Sequence, residues 1–387
     1  MARENPLSRR RVLQTVAAGS AAGLAGCTNG GESQSAAEEI TFPDLSEFRG
    51  SGPLVEGRPA PGGTSIADLP DLAGELNLYI GGGEGGIYTT FVDTLQEIYP
   101  EFTVFTSNAS SSSHAQTIVE EVNAGAAATK ADVFWSIDAS SLSFVANNDA
   151  YEPLSADAID SVPSDYRGAD NAWVGVAGRA RSIPYNTNEL SESDIPNKVQ
   201  EIPETEGLPG SMGWAPSYGA FKSFIATMQE LRGADATQSW LESMRTAGTQ
   251  TQPNEFVVSN QVADGAINAG FANHYYALRV QNSRPDAPID LAFTNGDAGA
   301  LVNVAGALQV KGTEKTDLVT TFVRHLLSAE AQEFFTTVSF AYPMIPDVAP
   351  PGDLPTIDEL NPPEIDLSTL SELESTLELM RAAGVLG

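Results

Sequence analysis

Apolar positions in the first half of the chain alternate between two periods. Short apolar runs over 76–80, 102–106 and 131–137 have the length and composition of buried strands. Between them, residues 88–99 repeat apolar side chains at helical spacing, and residues 114–125 are typical of a second helix. This βαβαβ order predicts a largely parallel sheet covered by helices, which is the α/β fold class.

The alternation resumes in the second half of the chain. A strand is predicted over 182–186, and two helices are predicted over 221–233 and 238–248. Two more strands, one long helix and a leucine-spaced terminal helix follow, over residues 265–273, 301–310, 316–338 and about 370–377. Residues 27–70, by contrast, are rich in Gly, Ser, Pro and Glu and have no lasting period, which predicts a flexible tether.

The charge balance adds most to this picture. The 387-residue chain has 51 acidic and 20 basic residues, a formal net charge of −31, and 41 % hydrophobic residues, enough for a large core. A nucleic-acid partner is not expected, because phosphate binding requires clustered Lys and Arg. Acidic residues spread over the whole chain indicate a haloarchaeal surface adapted to strong brine, where molar salt shortens the Debye length to about 3 Å. The alternative is an ordinary acidic protein.

The N-terminus has the layout of an export signal. Three arginines at 9–11 precede an apolar stretch over 16–24 that is too short to span a membrane stably. This start resembles a twin-arginine signal, predicted over 1–26. The sequence Leu-Ala-Gly-Cys ending at Cys27 resembles a lipoprotein box, which predicts a lipid anchor on the extracellular face of the cell membrane. Cys27 is the sole cysteine, so the chain cannot form an internal disulfide.

Two tyrosines stand side by side at the end of an apolar segment. Tyr275 and Tyr276 follow Asn273 and His274 and precede a short apolar run. Neighbours on a strand face opposite ways, so a strand would bury one ring and expose the other. The sequence has no Cys cluster, His-x-x-x-His or Gly-x-Ser-x-Gly motif, so zinc and serine-hydrolase chemistry have no support and an enzyme is not expected.

Several segments together resemble the ferric-iron solute-binding proteins of ABC importers, which have the two-lobed periplasmic-binding-protein type II fold. The resemblance runs from about residue 76 to the C-terminus and is carried by ADVFWSIDASSL, GRARSIPYNT, GWAPSYGAF, PNEFVVSNQVADGAINAGFANHYYALRV, GDAGALVNVAGALQV, SAEAQEFF and AYPMIPDV. It implies α/β lobes that close on a ligand by hinge motion. Lobe 1 would comprise 71–178 and 306–347, and lobe 2 would comprise 179–305 and 348–387. The implied partners are a permease and its ATPase subunits, and a monomer is expected.

The resemblance implies that Tyr275 and Tyr276 bind Fe(III), the transported ligand. Fe(III) is a hard ion that prefers anionic oxygen, and a phenolate is the strongest such donor among side chains. A free tyrosine has a pKa near about 10, so the metal must displace its proton. Both tyrosines can reach one ion if the strand ends there and the backbone turns.

Three further residues stand where members of this family supply iron ligands. Tyr185 lies at the crossover between the lobes, where some members have a third phenolate; the alternative is a ring packed at the hinge. The loop after the first strand lacks the family's histidine and reads GGGEGG, in which Glu84 is the one side chain able to substitute. Asp138 follows the third strand, next to the position where some members have a glutamate. Water or a small anion would complete the coordination.

The resemblance also implies a synergistic anion beside the metal, such as carbonate or phosphate. The residues at matching positions are Tyr218, Gly219, Ala220, Asn254 and Asn273. The loop could donate backbone N–H groups at a helix start, and the asparagines could donate amide N–H groups. Tyr218 departs from the family, which more often has a small hydroxyl or amide residue there. The alternatives are a helix cap for Asn254 and a strand-end contact for Asn273.

Two other functions stay open from the sequence. Related proteins of the same fold carry thiamine, phosphonates or other oxyanions, and these ligands do not need paired phenolates. A secreted hydrolase is the alternative from another class, but the sequence has no nucleophile–base motif. The tyrosine pair therefore favours ferric iron.

Overall fold

The computed structural model describes residues 40–82, 86–125, 130–371 and 373–386. Strands and helices alternate in the first half, as the apolar pattern predicts. The helices and strands up to residue 159 are α1 (Leu45–Phe48), β1 (Gly74–Gly81), α2 (Ile87–Ile98), β2 (Phe102–Ala109), α3 (Ser111–Asn123), β3 (Val133–Ser136), α4 (Ala139–Asn147), β4 (Tyr151–Glu152) and α5 (Ala156–Ile159). Strand β1 pairs in parallel with β2 and with β3, so the predicted βαβαβ unit is confirmed.

One long strand then leads into a region of short strands and longer helices. The helices and strands between residues 174 and 292 are β5 (Val174–Asn186), β6 (Met212–Trp214), α6 (Gly219–Arg232), α7 (Ala234–Thr246), β7 (Gln250–Thr251), α8 (Glu255–Ala263), β8 (Ala269–Gly270), β9 (Ala272–Asn273), α9 (His274–Ser283) and β10 (Ile289–Ala292). Both predicted helices are present as α6 and α7. The strand predicted over 265–273 forms two short strands, of which the second ends at Asn273.

The last third of the chain returns to the first group of strands. Its helices and strands are β11 (Val302–Val310), α10 (Thr316–Leu326), α11 (Ala329–Phe334), β12 (Tyr342–Pro343), α12 (Ile357–Leu360) and α13 (Glu374–Ala382). The single helix predicted over 316–338 is broken between α10 and α11, where the Ser328 hydroxyl accepts a hydrogen bond from the Ala331 N–H at 3.2 Å. A turn of π-helix over Phe335–Ser339 follows. The apolar spacing continues across the break and therefore does not reveal it.

Strand β5 joins two groups of strands into one sheet. Its first half pairs antiparallel with β11, and its second half pairs with β8, β9 and β10. The sheet order is β2-β1-β3-β11-β5-β8-β6-β7. The parallel strands β1 to β3 thus lie on one side of β5, and the parallel strands β6 to β8 lie on the other. The fold is two α/β lobes that share a crossover strand.

The buried side chains divide along the same line. One group, which includes Phe134, surrounds β1, β3 and β11, and a second, which includes Phe224, lies between β6, α6 and α7. A smaller group lies under α8 and α9. Leu370 belongs to the first group and Met380 to the second. The assignment of 348–387 to lobe 2 is therefore wrong for its earlier part, and the other lobe boundaries stay a prediction.

Residues 40–70 are part of the folded body. Phe48 and Ile66 are each only 1 % exposed and lie in the core of lobe 1. Arg58 forms a buried two-point ion pair with Glu333, with Nε–Oε1 at 3.2 Å and Nη2–Oε2 at 3.1 Å. The prediction of a flexible tether is wrong for this stretch, because a few separated side chains pack it without any periodic pattern.

The predictions of an export signal and a lipid anchor concern the N-terminus of the chain. Residues 1–39, which include the expected export signal, the first part of the tether and Cys27, lie outside the described residues. Within the described ranges, no helix combines the length and the apolar character needed to cross a membrane.

Candidate metal centre

Tyr275 and Tyr276 lie in the first turn of α9. Strand β9 ends at Asn273, which has the extended φ of −69° and ψ of 141° of a residue preceding a helix. Helical neighbours are separated by about 100° around the axis, so the two rings stay side by side, with centroids 4.4 Å apart. Tyr275 is 2 % exposed and Tyr276 is half-buried. The turn of the backbone that would let both phenols reach one ion is present.

A third phenol, that of Tyr218, completes a cluster of hydroxyl groups. Tyr218 directly precedes α6, and its hydroxyl shares a hydrogen bond with that of Tyr276. Their ring centroids are 6.2 Å apart. The sequence placed Tyr218 at an anion site only. The signal that could have assigned it to the metal was a phenol at a position where the family more often has a small polar residue.

Two arginines place positive charge beside the phenols. Arg179 of β5 donates a hydrogen bond from Nη2 to the Tyr275 hydroxyl at 2.7 Å and another from Nη1 to the Ile137 carbonyl at 2.6 Å. Because Ile137 directly follows β3, Arg179 links the end of a lobe 1 strand to the tyrosine pair. The guanidinium carbon of Arg279 lies 5.0 Å from the Tyr275 ring centroid and 5.8 Å from that of Tyr276. Cations this close favour the ionised form of a phenol.

Burial acts on these phenols in the opposite direction. It raises the pKa of Tyr276 far above its ordinary value, and the neighbouring Tyr275 and Tyr218 raise it further. Tyr276 is therefore protonated at neutral pH until a bound cation replaces the proton. A trivalent ion is suited to do so, since its charge offsets several phenolates. The start of α9 also places the positive end of a helix dipole beside the phenols.

The described residues offer no competing metal site of the usual kind. Across the four described ranges, no group of three or more His, Cys, Asp or Glu side chains is arranged to hold a metal ion. The cluster of Tyr218, Tyr275 and Tyr276 consists of phenols, which such a grouping does not include. Its oxygen donors suit a hard cation such as Fe(III) and do not suit soft or imidazole-preferring metals.

Tyr185 is not beside the tyrosine pair. It lies four residues beyond Arg181 on β5, which corresponds to about 13 Å along a strand, and Arg181 is the residue paired with Asn273. Asp290 faces Tyr185 across the β5–β10 pair, and burial, Asp290 and Glu192 together raise the pKa of Tyr185. This position agrees with the alternative given for Tyr185, which is a ring packed at the crossover between the lobes.

The two carboxylates proposed for lobe 1 have different outcomes. Asp138 is the N-cap of α4, and its Oδ1 accepts hydrogen bonds from the Ser141 N–H at 2.8 Å and from the Ser140 hydroxyl at 2.5 Å. One oxygen of its carboxylate is therefore bonded to the helix it begins. The residue before it supplies the carbonyl that receives Arg179. Glu84 lies outside the described residues.

The five anion-site residues are only partly brought together. Asn254 caps α8, with Oδ1 accepting from the Val257 N–H at 2.9 Å, as its alternative reading expected. Gly219 and Ala220 begin α6, and a Cβ built on Gly219 would meet no atom within 4 Å, so space is open there. Asn273 is buried and donates from Nδ2 to the Tyr275 hydroxyl at 3.3 Å. Asn273, Tyr218 and the start of α6 thus adjoin the phenols.

His274 is turned away from the phenol oxygens. Its ring is fully buried, with Nδ1 3.2 Å from the Ala180 carbonyl oxygen and Nε2 2.7 Å from that of Phe340. Burial lowers the pKa of His274 to about 4, whereas the two carbonyl oxygens that face its ring nitrogens act in the opposite direction. Its contacts anchor the start of α9 to β5 and to the turn before β12.

This fold is that of an extracellular solute-binding protein. A family model described as bacterial extracellular solute-binding protein matches residues 128–365, and the chain belongs to this family. The major ferric iron-binding protein of Neisseria meningitidis serogroup B is 31 % identical over 264 residues, which cover 66 % of this chain and 78 % of that protein. The Fe(3+)-binding periplasmic protein of Serratia marcescens is 27 % identical over 263 residues, covering 67 % and 77 % respectively.

Solved structures of similar proteins have the same architecture. Iron-bound HitA from Pseudomonas aeruginosa matches with a TM-score of 0.70 and 25 % identity, covering 80 % of this chain and 99 % of that one. The Trichodesmium protein IdiA (FutA), in complex with iron and citrate, matches with a TM-score of 0.68 and 22 % identity over the same shares. The predicted two-lobed α/β fold is confirmed.

Proposed function

We propose that this protein captures Fe(III) outside the cytoplasm and delivers it to the permease and ATPase subunits of an ABC importer. The observation that carries the proposal is the convergence of the phenols of Tyr218, Tyr275 and Tyr276 in one largely buried site. Phenolate oxygen is a donor that Fe(III) prefers. The names of the Neisseria and Serratia relatives, both of which are iron-binding proteins, support the same ligand.

The three phenols are the proposed protein ligands. Glu84 stays the prediction for a further ligand, from the loop after β1. Tyr185 is left out of the set because it lies four residues along β5 from the residue that pairs with Asn273, and Asp138 is left out because its Oδ1 caps α4. For the synergistic anion, carbonate or phosphate, we propose the first turn of α6, which begins with Gly219 and Ala220 and has open space beside the Gly219 Cα.

Loading exchanges phenol protons for iron. Because burial holds the pKa of Tyr276 high, that phenol carries its proton in the iron-free protein at neutral pH. Fe(III) binding therefore releases protons, and the affinity falls as the pH falls. Arg179 remains beside the Tyr275 oxygen and stabilises the negative charge that develops there.

The test is the double variant Tyr275→Phe, Tyr276→Phe, titrated with ferric citrate. The unaltered protein should become coloured by phenolate-to-iron charge transfer, and the double variant should lose the colour and bind iron at least roughly a hundredfold more weakly. Tyr99→Phe, a buried ring of lobe 1, is the control and should behave as the unaltered protein. Equal colour and affinity in the double variant would make the ferric proposal wrong, and an oxyanion ligand would replace it.

We also propose that the protein is exported, held to the membrane by a lipid on Cys27 and monomeric. The layout of residues 1–27 is the support for export and anchoring. Cys27→Ser should release folded, iron-binding protein into the medium. Continued association with membranes would show that the anchor lies elsewhere.

A further inference from the structure

A buried polar network lies directly beneath the start of α9. It joins Arg181 of β5, Glu255 of α8 and Asn273 of β9, whose exposed fractions are 2 %, 0 % and 3 %. Arg181 and Asn273 face each other in the β5–β9 pair. Removing two charges from water is costly, and an apolar pair of the same volume is often at least as stable. Stability alone therefore does not explain an ion pair at this depth.

The network determines which way the Asn273 amide faces. The Asn273 Oδ1 lies 3.3 Å from Arg181 Nη1. A guanidinium group can only donate hydrogen bonds, so the amide must present its oxygen to Arg181. This leaves the amide nitrogen on the other side, where Nδ2 donates to the Tyr275 hydroxyl at 3.3 Å.

Glu255 is bonded to both Arg181 and Asn273. Its Oε1 forms the ion pair with Arg181 Nη1, and its Oε2 accepts a hydrogen bond from the Asn273 backbone N–H at 2.8 Å. The face of the guanidinium is covered by the Phe224 ring, with the guanidinium carbon 5.3 Å from the ring centroid. Arg181 is thus fixed from two sides, and the Asn273 amide cannot reverse without losing a bond to a buried charge.

We propose that Arg181 and Glu255 are positioning residues of the metal site: they hold the Asn273 amide so that an N–H, and never an oxygen, faces the Tyr275 oxygen. This inference rests on the proposed function, in which Tyr275 is an iron ligand. When iron replaces the phenol proton, the same N–H donates to the phenolate, and charge-assisted bonds of this kind are the stronger ones. A reversed amide would set its oxygen against the phenolate.

The first test is the double variant Arg181→Gln, Glu255→Gln. It leaves no unpaired buried charge, and glutamine at 181 can accept as well as donate, so the orientation of the Asn273 amide is no longer determined. We expect iron binding roughly tenfold weaker, the loss of about one good hydrogen bond. We also expect the charge-transfer band at longer wavelength, because a phenolate that loses a hydrogen bond gives up an electron more easily.

A second variant and a matched control separate positioning from general damage. Asn273→Leu has a similar shape but no N–H, and should move the band in the same direction as the double variant. The control is Arg58→Gln, Glu333→Gln, which removes a buried ion pair of lobe 1, in which Arg58 also donates to the carbonyls of residues 349 and 350. Arg49, which pairs with Glu333 as well, is 21 % exposed and stays accessible to water in this control. The control should keep both the band position and the affinity.

The outcomes are distinct for each proposal. A wild-type band and affinity in Asn273→Leu or in the double glutamine variant, while Tyr275→Phe reduces the colour and weakens iron binding, would overturn the positioning role and leave the ferric site intact. An equal band shift in the Arg58 and Glu333 control would also overturn it. If Tyr275→Phe itself changes nothing, the proposed function and this inference fail together.

Discussion

Two opposing effects, burial and nearby positive charge, act at the cluster formed by the phenols of Tyr218, Tyr275 and Tyr276. Burial opposes ionisation of Tyr276, whereas Arg179 and Arg279 favour negative charge at the pair. Tyr276 therefore keeps its proton until a strongly charged cation displaces it. A divalent ion, with less charge to offset the phenolates, should bind more weakly.

Replacing single tyrosines by phenylalanine distinguishes two ligand sets. The structure adds Tyr218 to the tyrosine pair, whereas the sequence alone adds Tyr185. Tyr218→Phe should weaken iron binding by roughly a hundredfold and reduce the charge-transfer absorbance, because it removes one anionic oxygen. Tyr185→Phe should leave both unchanged, because Tyr185 lies four residues along β5 from the residue that pairs with Asn273. Absorbance titration of the two variants is the measurement. The opposite ranking would return Tyr185 to the ligand set and make Tyr218 a packing residue.

A buried histidine in lobe 1 should make stability depend on pH. His325 lies between the Tyr99 hydroxyl and the Thr321 carbonyl, and burial lowers its pKa from 6.5 to about 4. Below pH 6.5 the His325 imidazole takes up a proton in the unfolded chain but stays neutral in the folded protein. The free energy of unfolding should therefore fall by about 3 kcal/mol between pH 6.5 and pH 4. Denaturant unfolding of His325→Gln should show a shallower pH dependence by about one proton. An identical slope would contradict this prediction.

Strand β5 is the element on which the site depends most. Its first half pairs with lobe 1, its second half pairs with lobe 2, and Arg179 and Arg181 lie where the pairing changes. Alternate residues point to opposite faces of a strand, so these two arginines share a face. One reaches the Tyr275 hydroxyl directly and the other reaches it through Asn273. A shift of β5 would therefore disturb both contacts together.

The segment before β1 should contribute measurably to stability. Glu333 pairs with both Arg49 and Arg58. The double variant Arg49→Met, Arg58→Met therefore removes both ion-pair partners of this buried carboxylate and should lower the free energy of unfolding by about 3–5 kcal/mol. Arg284→Met, which breaks an exposed ion pair with Asp264, is the comparison and should cost less than about 1 kcal/mol. Urea unfolding measures both. Equal, small effects would mean that residues 40–70 behave as the tether expected from the sequence.

The large net negative charge affects the stability of the whole molecule. With 51 acidic and 20 basic residues, the folded chain repels itself at low ionic strength. The proposed adaptation to brine would use molar salt to screen this repulsion.

Salt should therefore stabilise the protein strongly. We expect the melting temperature to rise by about 5 °C or more between dilute buffer and 2 M KCl, as screening removes repulsion from the compact state. Sucrose, which stabilises by exclusion from the surface without screening charge, is the control and should have a smaller effect. A melting temperature that does not rise with KCl would make the brine hypothesis wrong.

The sequence by itself determined the fold class, the family and the tyrosine pair. Apolar periodicity reports which face of an element is buried, so β1, β2 and β3 and the helices between them could be predicted. Tyr275 and Tyr276 could be found because they are adjacent in the chain and stand in a long family-like segment. These features are local in the chain, so they can be recognised from the sequence alone.

Only the tertiary structure decided which other side chains join the pair. Tyr218 lies 58 residues from Tyr276 in the chain and Arg179 lies 96 residues from Tyr275, so their contacts depend on how the lobes fold. The same holds for Asp138, whose Oδ1 is bonded to the helix it caps, and for the packing of residues 40–70 on lobe 1. Periodicity describes burial along one element, whereas a metal centre depends on distances between elements that no local pattern encodes.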